Sequence, residues 1–448
     1  MKKMSQERYT TGESSSSSGF ELRREKLDNG MAIISSEVKG SETVAIAGSL
    51  KAGAICDPMG KFGTAELVSR LLTRGTQKYS ASEISRRIEQ VGATLSFDNR
   101  DETIFFSSRC FYGVLDEILG ILADCIAYPT FPDEEIELAR SEIVSNLSEQ
   151  EDDTRSVAYR DLMELLYSED APYGRNPLGK KDEVKRITKA DLQKFHSENF
   201  DSSKIVIAAT GGYDFSELVS KLDSVFPRST LAKTDKPFVF NEPKGYPGGT
   251  KSVPMSHKTQ ADIAMGARAV PRSSPSYYSL NLGNLILGRL GLYGRLGKNV
   301  REQKGVAYYS YSMLQAKLFA GHIAILAGVN PRNIEKAVDG ISEEIAKIIS
   351  EKVPEKELEV AKKNLVGSLS ISLDTSIERV SIIHDIQYYD LGLDYLDRYP
   401  EIIAGVSADS VRSDLRDCLN PEKISLVAAG PIPELKLDLR KSISNFAA

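Results

Sequence analysis

Two stretches of this chain are written twice, and that repetition restricts its fold more than any other feature. "PDEEIELARSEIVSNLSEQEDDT", starting at Pro132, is matched by "PEKELEVAKKNLVGSLSISLDTS", starting at Pro354. "ITKADLQKFHSENFDSSKIVIAATG", from Ile187, is matched by "VSADSVRSDLRDCLNPEKISLVAAG", from Val406. The first pair opens on Pro and acidic residues, a helix-start pattern, followed by apolar residues at helical spacing. The second pair reads as an amphipathic helix, a short turn and an apolar strand ending in Gly. Offsets of 222 and 219 describe one drifted duplication of a unit about half the 448-residue chain. So long a period excludes a solenoid and predicts two homologous domains.

Strand-like runs in each half ("TVAIAGSLKAG" and "TIFFSSRC"; "ADIAMGARAV" and "GHIAILAGV") lie among long helical patterns. They lack regular βαβ alternation, which predicts an α+β class rather than a doubly wound sheet. The expected layout is a disordered, Ser-rich tail over residues 1–19 and an N-terminal domain over 20–227. A Pro-, Gly- and Lys-rich linker over 228–254 and a C-terminal domain over 255–448 complete it. The tail has no apolar core of a secretory signal, and Glu7 and Glu13 count against an organelle presequence. A cytoplasmic location is therefore expected, with organelle import left open. A net charge of −6 gives no basic footprint for nucleic acid, and no run of eighteen apolar residues offers a membrane span.

Metal and thiol chemistry have no local motif. Cys56, Cys110, Cys125 and Cys418 are scattered without a CxxC, and Cys110 and Cys125 read as small buried hydrophobes. His196, His257, His322 and His384 lie far apart, and none has a ligand-type neighbour one turn away. The glycine-rich "LGRLGLYGRLG" (Leu287–Gly297) has neither GxGxxG spacing nor a Walker Lys-Ser/Thr, so it is read as structural turning. The acidic Ser148–Asp153 stretch is either a solvated helix end or a face for basic peptides.

"GTAELVSRLLTRGT" (Gly63–Thr76) has Leu67, Val68, Leu71 and Leu72 along one helical stripe. Glu66, Ser69 and Arg70 accompany them. This helix, with "AGAICDPMGKFGTAEL", "LLTRGTQKYS", "YGRNPLGKKDEVKRITKADLQKF" and "LGRLGLYGRLGKNVREQKGVAYYSYS", resembles the M16 (pitrilysin-type) metallopeptidase family. The resemblance is to its short-chain branch, with mitochondrial processing peptidase and the bc1 core proteins. It runs from "LDNGMAII" at Leu27 to "VAAGPI" near Ile432.

The resemblance implies two domains, each a mostly antiparallel sheet flanked by helices, forming a clam-like, LuxS/MPP-like chamber. Active members carry H-x-x-E-H within "GTAHFLEH…GT": two histidines bind zinc and the glutamate activates water, with a distal glutamate as further ligand. Aligned on "GTA…GT", Glu66 and Arg70 stand at the histidine positions and Ser69 at the catalytic glutamate. The distal ligand falls on Asn146, with Glu149 one turn later. A guanidinium has no lone pair to offer and keeps its charge, and serine is no general base. The expectation is a degenerate site with no cofactor of its own, zinc residing only in an active partner, and a Glu66–Arg70 pair at i, i+4.

In the C-terminal half the family places an Arg and a Tyr against the substrate backbone; the matching residues are Arg301 and Tyr308. Either they retain that contact, or Arg301 pairs with a carboxylate such as Glu302 while Tyr308 packs. Tyr309 and Tyr311, at strand spacing, are expected to share a face. The resemblance implies a non-catalytic subunit of a heterodimer whose partner carries H-x-x-E-H. That subunit would bind extended peptides and complete the partner's site with Arg301 and Tyr308. The alternatives are an assembly protein like the bc1 core subunits, and an autonomous peptidase using an unusual metal.

Overall fold

The apolar runs become two sheets in the computed structural model. It describes residues 13–15, 21–169, 171–227, 231, 240, 248–290, 293–433, 439, 442, 443 and 446. The first sheet contains β1 (Glu13–Ser15), β2 (Leu22–Lys26), β3 (Ala32–Glu37), β4 (Thr43–Leu50), β5 (Thr94–Asn99), β6 (Ile104–Phe111) and β7 (Ile205–Gly211), in the order β1-β2-β3-β7-β4-β6-β5. The second contains β8 (Gly249–Pro254), β9 (Ala261–Ala269), β10 (Ala307–Ala316), β11 (Gly321–Val329) and β12 (Ser425–Gly430), in the order β10-β11-β9-β12-β8. Among the described residues only β3–β7 and β8–β12 pair parallel. The β3-β7-β4-β6-β5 portion thus has the strand order and pairing senses of β8-β12-β9-β11-β10.

The class is α+β, with two mostly antiparallel sheets flanked by helices. Every residue of β7, β11 and β12 is buried regardless of alternation, so both faces of these strands are covered. β5, at a sheet edge, alternates exposed and half-buried residues. Among the described residues no helix is long and apolar enough to cross a membrane.

Two predicted boundaries change. Within the expected tail, Glu13–Ser15 pairs antiparallel with Leu22–Arg24. The rest of residues 1–19 lies outside the described residues, as does most of 228–247. At the end of the expected linker, Gly249–Pro254 is a paired strand. Its polar text "GTKSVP" has no apolar face because it is an edge strand, held through backbone hydrogen bonds to β12.

The compact units are not the contiguous stretches 20–227 and 255–448. One comprises residues 1–144, 177–239 and 369–398, and the other 145–176, 240–368 and 399–448. The reason is reciprocal packing. Helix Thr154–Tyr167, from the first half, lies on β9 and β12, while helix Ser376–Tyr388, from the second, lies on β4 and β7. Leu162 and Leu166 are fully buried there, each contributing about 2 kcal/mol by burial. Polar anchors fix the register. Tyr159 Oη meets His322 Nε2 at 2.9 Å, Tyr167 Oη donates to the Gly321 carbonyl, and Thr154 Oγ1 donates to the Asp262 carboxylate. In the first unit His384 Nε2 meets Ser49 Oγ at 2.7 Å, and Tyr388 Oη donates to Glu102 at 3.0 Å.

His322 makes the second unit acid-sensitive. Burial, with a smaller contribution from Lys317, pushes its pKa down to about 3. An unfolded imidazole titrates near 6.5, so the unfolded chain binds the proton first. The stabilising contribution is complete above about pH 6.5 and is lost as pH falls toward 3, at up to about 1.4 kcal/mol per pH unit. Denaturant titrations of the native chain and His322→Gln across this range are expected to show a shallower acid dependence in the variant. Parallel curves would contradict the assignment.

Candidate functional site

Helix Thr64–Leu71 begins where it does because two residues fix its first turn. Gly63 adopts a left-handed φ of 99°, and a Cβ there would lie 2.7 Å from the Leu178 carbonyl oxygen. The buried Asp57 accepts from Gly63 N through Oδ2 and from Ala65 N through Oδ1, both at 2.7 Å, covering amides the helix leaves unpaired. The stripe of Leu67, Val68, Leu71 and Leu72 is completely buried. The helix lies beside the edge strand β5.

Glu66 and Arg70 come together as the i, i+4 spacing predicts, with a partner the spacing could not supply. Arg70 Nε donates to Glu66 Oε1 at 2.6 Å, and its Nη1 donates to Glu142 Oε2 at 3.2 Å. Glu66 is only 7% exposed, so its charge needs this neighbour. One turn on, Arg74 pairs with Glu135 at 3.7 Å. Glu135 and Glu142 belong to helix Asp133–Asp152, which Arg70 ties to helix Thr64–Leu71 and Arg74 ties to the turn that follows it. Ser69 Oγ donates to the Glu66 carbonyl at 2.9 Å and turns back on its own helix.

This donor set does not fit zinc. A guanidinium lies between the two carboxylates, and it carries charge without a lone pair. Asn146 sits one turn after Glu142 on the same helix, and Glu149 beyond it is exposed. Among the described residues no group of three or more His, Cys, Asp or Glu side chains could hold a metal ion. Arg70 does mechanically what a bridging cation would do: it cross-links two helices through their acids.

Arg301 and Tyr308 lie in the other unit, and both are exposed. Arg301 is on a π-helical run, Gly297–Gln303, a rare geometry often found at functional sites. Asn299, in that run, donates to Glu344 and anchors it. Tyr308 is 59% exposed and occupies a β-bulge, because Ala307 pairs with Val329 while Tyr309 pairs with Gly328. A bulge re-aims the extra residue away from the regular ladder. No hydrogen bond or ion pair engages either side chain among the described residues, the Arg301–Glu302 pairing included.

Tyr309 behaves differently from its neighbour. Its hydroxyl donates to the buried Asp262 and accepts from Arg155 Nε at 2.9 Å, while the Arg155 guanidinium lies 4.3 Å from its ring centroid. Burial and the Asp262 charge push its pKa well above the usual phenol range. Tyr309 and Tyr311 do share a face, with ring centroids 5.8 Å apart. Sequence reading missed Asp57, Glu142 and the Arg155–Tyr309–Asp262 network; each depends on partners that no local spacing reveals.

The remaining sequence features have structural occupations. None of the four cysteines is in a disulfide; burial pushes the thiols of Cys110, Cys125 and Cys418 up to about 11, 12 and 12. In the acidic stretch, Asp152 pairs with His257 at 2.7 Å and Lys258 at 2.8 Å, and Asp153 caps helix Thr154–Tyr167 through Ser156 N. Leu285–Arg289 is a second π-helical turn at the glycine-rich segment, whose residues 291 and 292 lie outside those described.

Comparison with known proteins places these features in context. A family model described as "Insulinase (Peptidase family M16)" matches residues 32–176, and one described as "Peptidase M16 inactive domain" matches residues 186–365. The beta subunit of the mitochondrial-processing peptidase of Saccharomyces cerevisiae is 25% identical over 379 residues, covering 81% of this chain and 80% of that protein. An uncharacterized zinc protease of Streptomyces coelicolor is 23% identical over 421 residues, covering 92% and 90%. Among solved structures, a peptidase M16 inactive domain from Pseudomonas fluorescens superposes with a TM-score of 0.86 at 22% identity, covering 93% of this chain and 99% of that one. A protease from Helicobacter pylori gives 0.83 at 18% identity, covering 92% and 99%.

Proposed function

Because the chain belongs to the M16 peptidase family, we propose that it is the zinc-less subunit of a heteromeric M16 endopeptidase. The observation that carries this reading is the asymmetry between the two units. In one, Arg70 is committed to Glu66 and Glu142, where an active member would hold zinc. In the other, Arg301 and Tyr308 stand exposed and uncommitted on a π-helical run and a bulge. The partner supplies H-x-x-E-H and the zinc. This chain supplies hydrogen-bond donors that fit a peptide carbonyl or the oxyanion formed from it.

Peptide is held by strand addition. Among the described residues both β5 and β10 are edge strands, and β5 adjoins the helix that bears Glu66 and Arg70. An extended substrate gains backbone hydrogen bonds there without regard to sequence, which suits a subunit that holds many peptides. The common strand order of the two sheets supports descent of both units from one duplicated ancestor.

The test is affinity purification of the chain from its native source, with mass spectrometry of bound proteins. The expected result is an M16 chain with an intact H-x-x-E-H motif in a one-to-one complex. Recovery with assembly or respiratory proteins and no such chain would favour a structural role similar to that of bc1 core subunits.

A further inference from the structure

Arg301 is exposed, yet the backbone that carries it is fixed from beneath. The π-helical run Gly297–Gln303 packs on helix Ile334–Ser350. That helix turns one stripe toward it: Gly340, Glu343, Glu344 and Lys347 follow the i, i+3, i+4, i+7 spacing of a single face. Gly340 sets the approach. A Cβ there would lie 3.3 Å from Val300 Cγ2 and 3.4 Å from Lys304 Cδ, so its absence lets the run sit close. Val300 itself is fully buried.

The two glutamates take hold of the chain on both sides of Arg301. Before it, the buried Asn299 donates from Nδ2 to Glu344 Oε1. After it, Lys304 Nζ donates to Glu343 Oε2 at 2.6 Å. Lys347 Nζ joins the two acceptors, at 2.7 Å from Glu343 Oε1 and 3.3 Å from Glu344 Oε1. Glu344 is only 6% exposed, so its charge needs Asn299 and Lys347. Lys304 and Lys347 hold the Glu343 carboxyl down to about 2, so it is ionised at neutral pH. The same stretch carries the wide-turn backbone bonds. Lys304 N donates to the Asn299 carbonyl at 2.9 Å, and Val306 N to the Val300 carbonyl at 3.2 Å. A π-helical turn is a rare geometry, and a short helical turn is stabilised mainly by its tertiary packing.

We infer that Glu343 and Glu344 are positioning residues for Arg301. By gripping Lys304 and Asn299 they hold the turn that aims its guanidinium at the substrate peptide, which rests on the reading of Arg301 as a substrate contact. Neither glutamate touches the peptide; both act through the backbone between Asn299 and Lys304. Such placement matters because a misplacement of about 1 Å can cost about 100-fold in rate.

Hydrogen exchange of the full-length chain, read on peptides covering residues 297–306, tests the anchoring. Lys304→Met and Glu344→Leu are each expected to speed exchange there by about tenfold or more. Glu344→Gln, which keeps an oxygen for Asn299, should speed it far less. Kinetics of the complex with an H-x-x-E-H partner test the positioning. Lys304→Met and Glu344→Leu should each lower kcat by about tenfold, with KM changed by less than about twofold. In an Arg301→Ala background neither should lose anything further, because the group they position is gone. Exchange unchanged in both variants, or the full loss persisting in the Arg301→Ala background, would overturn the inference. Turnover lost in Arg301→Ala but unchanged in Lys304→Met and Glu344→Leu would overturn it and leave the substrate contact standing. Unchanged turnover in Arg301→Ala would remove the substrate contact, and the inference with it. Lys304 is exposed, so Lys304→Met preserves the test if Glu344→Leu fails to fold.

Discussion

Arg301→Ala, in a complex reconstituted with an M16 partner that carries H-x-x-E-H, is expected to lower kcat/KM for a peptide substrate by about 100-fold. Tyr308→Phe is expected to lower it by about tenfold. The ordering follows from charge. A guanidinium donates charge-assisted hydrogen bonds to a carbonyl or oxyanion, and a phenol donates one neutral bond. Among the described residues neither side chain has a hydrogen-bond or ion-pair partner, and both are exposed, so the unfolding midpoint should not move. That separation matters for reading the result. Tyr309→Phe, one residue away, removes a bond to the buried Asp262 and should destabilise its unit instead. The two variants act on one substrate group, so the double variant should lose less than the product of the single losses. Unchanged turnover in Arg301→Ala and Tyr308→Phe would end the claim that this chain completes the partner's site.

The second large effect is on stability. Arg70→Met should lower the unfolding free energy by roughly 2–4 kcal/mol, because it strands the buried Glu66 carboxylate and releases Glu142 from helix Thr64–Leu71. Glu66→Leu/Arg70→Leu, which removes the buried charge along with its partner, should recover much of the loss. A deficit below about 0.5 kcal/mol for Arg70→Met would mean that the ion pair does not hold these helices together.

Local pattern carried much of this protein. "TVAIAGSL" and "GHIAILAGV" are strands because their apolar runs are short, β-rich and ended by glycine or a turn, and both were legible. The Glu66–Arg70 pair was legible because four residues bring side chains onto one face of a helix. What escaped was every decision made over long chain separation. Nothing in "TRSVAYRDLMELLY" says that Tyr159 and Tyr167 will meet His322 and Gly321 rather than the sheet of their own half. Likewise, Glu142 is one of several acids on its helix, and only tertiary packing selects it for Arg70. The strand Gly249–Pro254 was hidden for a different reason. An edge strand held by backbone bonds needs no apolar alternation, so its lysine, serine and proline read as linker.

The central claim is that the metal belongs to the partner and not to this chain. Zinc per protein, measured by mass spectrometry on the native heteromeric complex and on this chain alone after zinc incubation and dialysis, tests it most directly. The account predicts one zinc per pair of chains in the complex and none retained by this chain alone. Stoichiometric zinc on the isolated chain would contradict it.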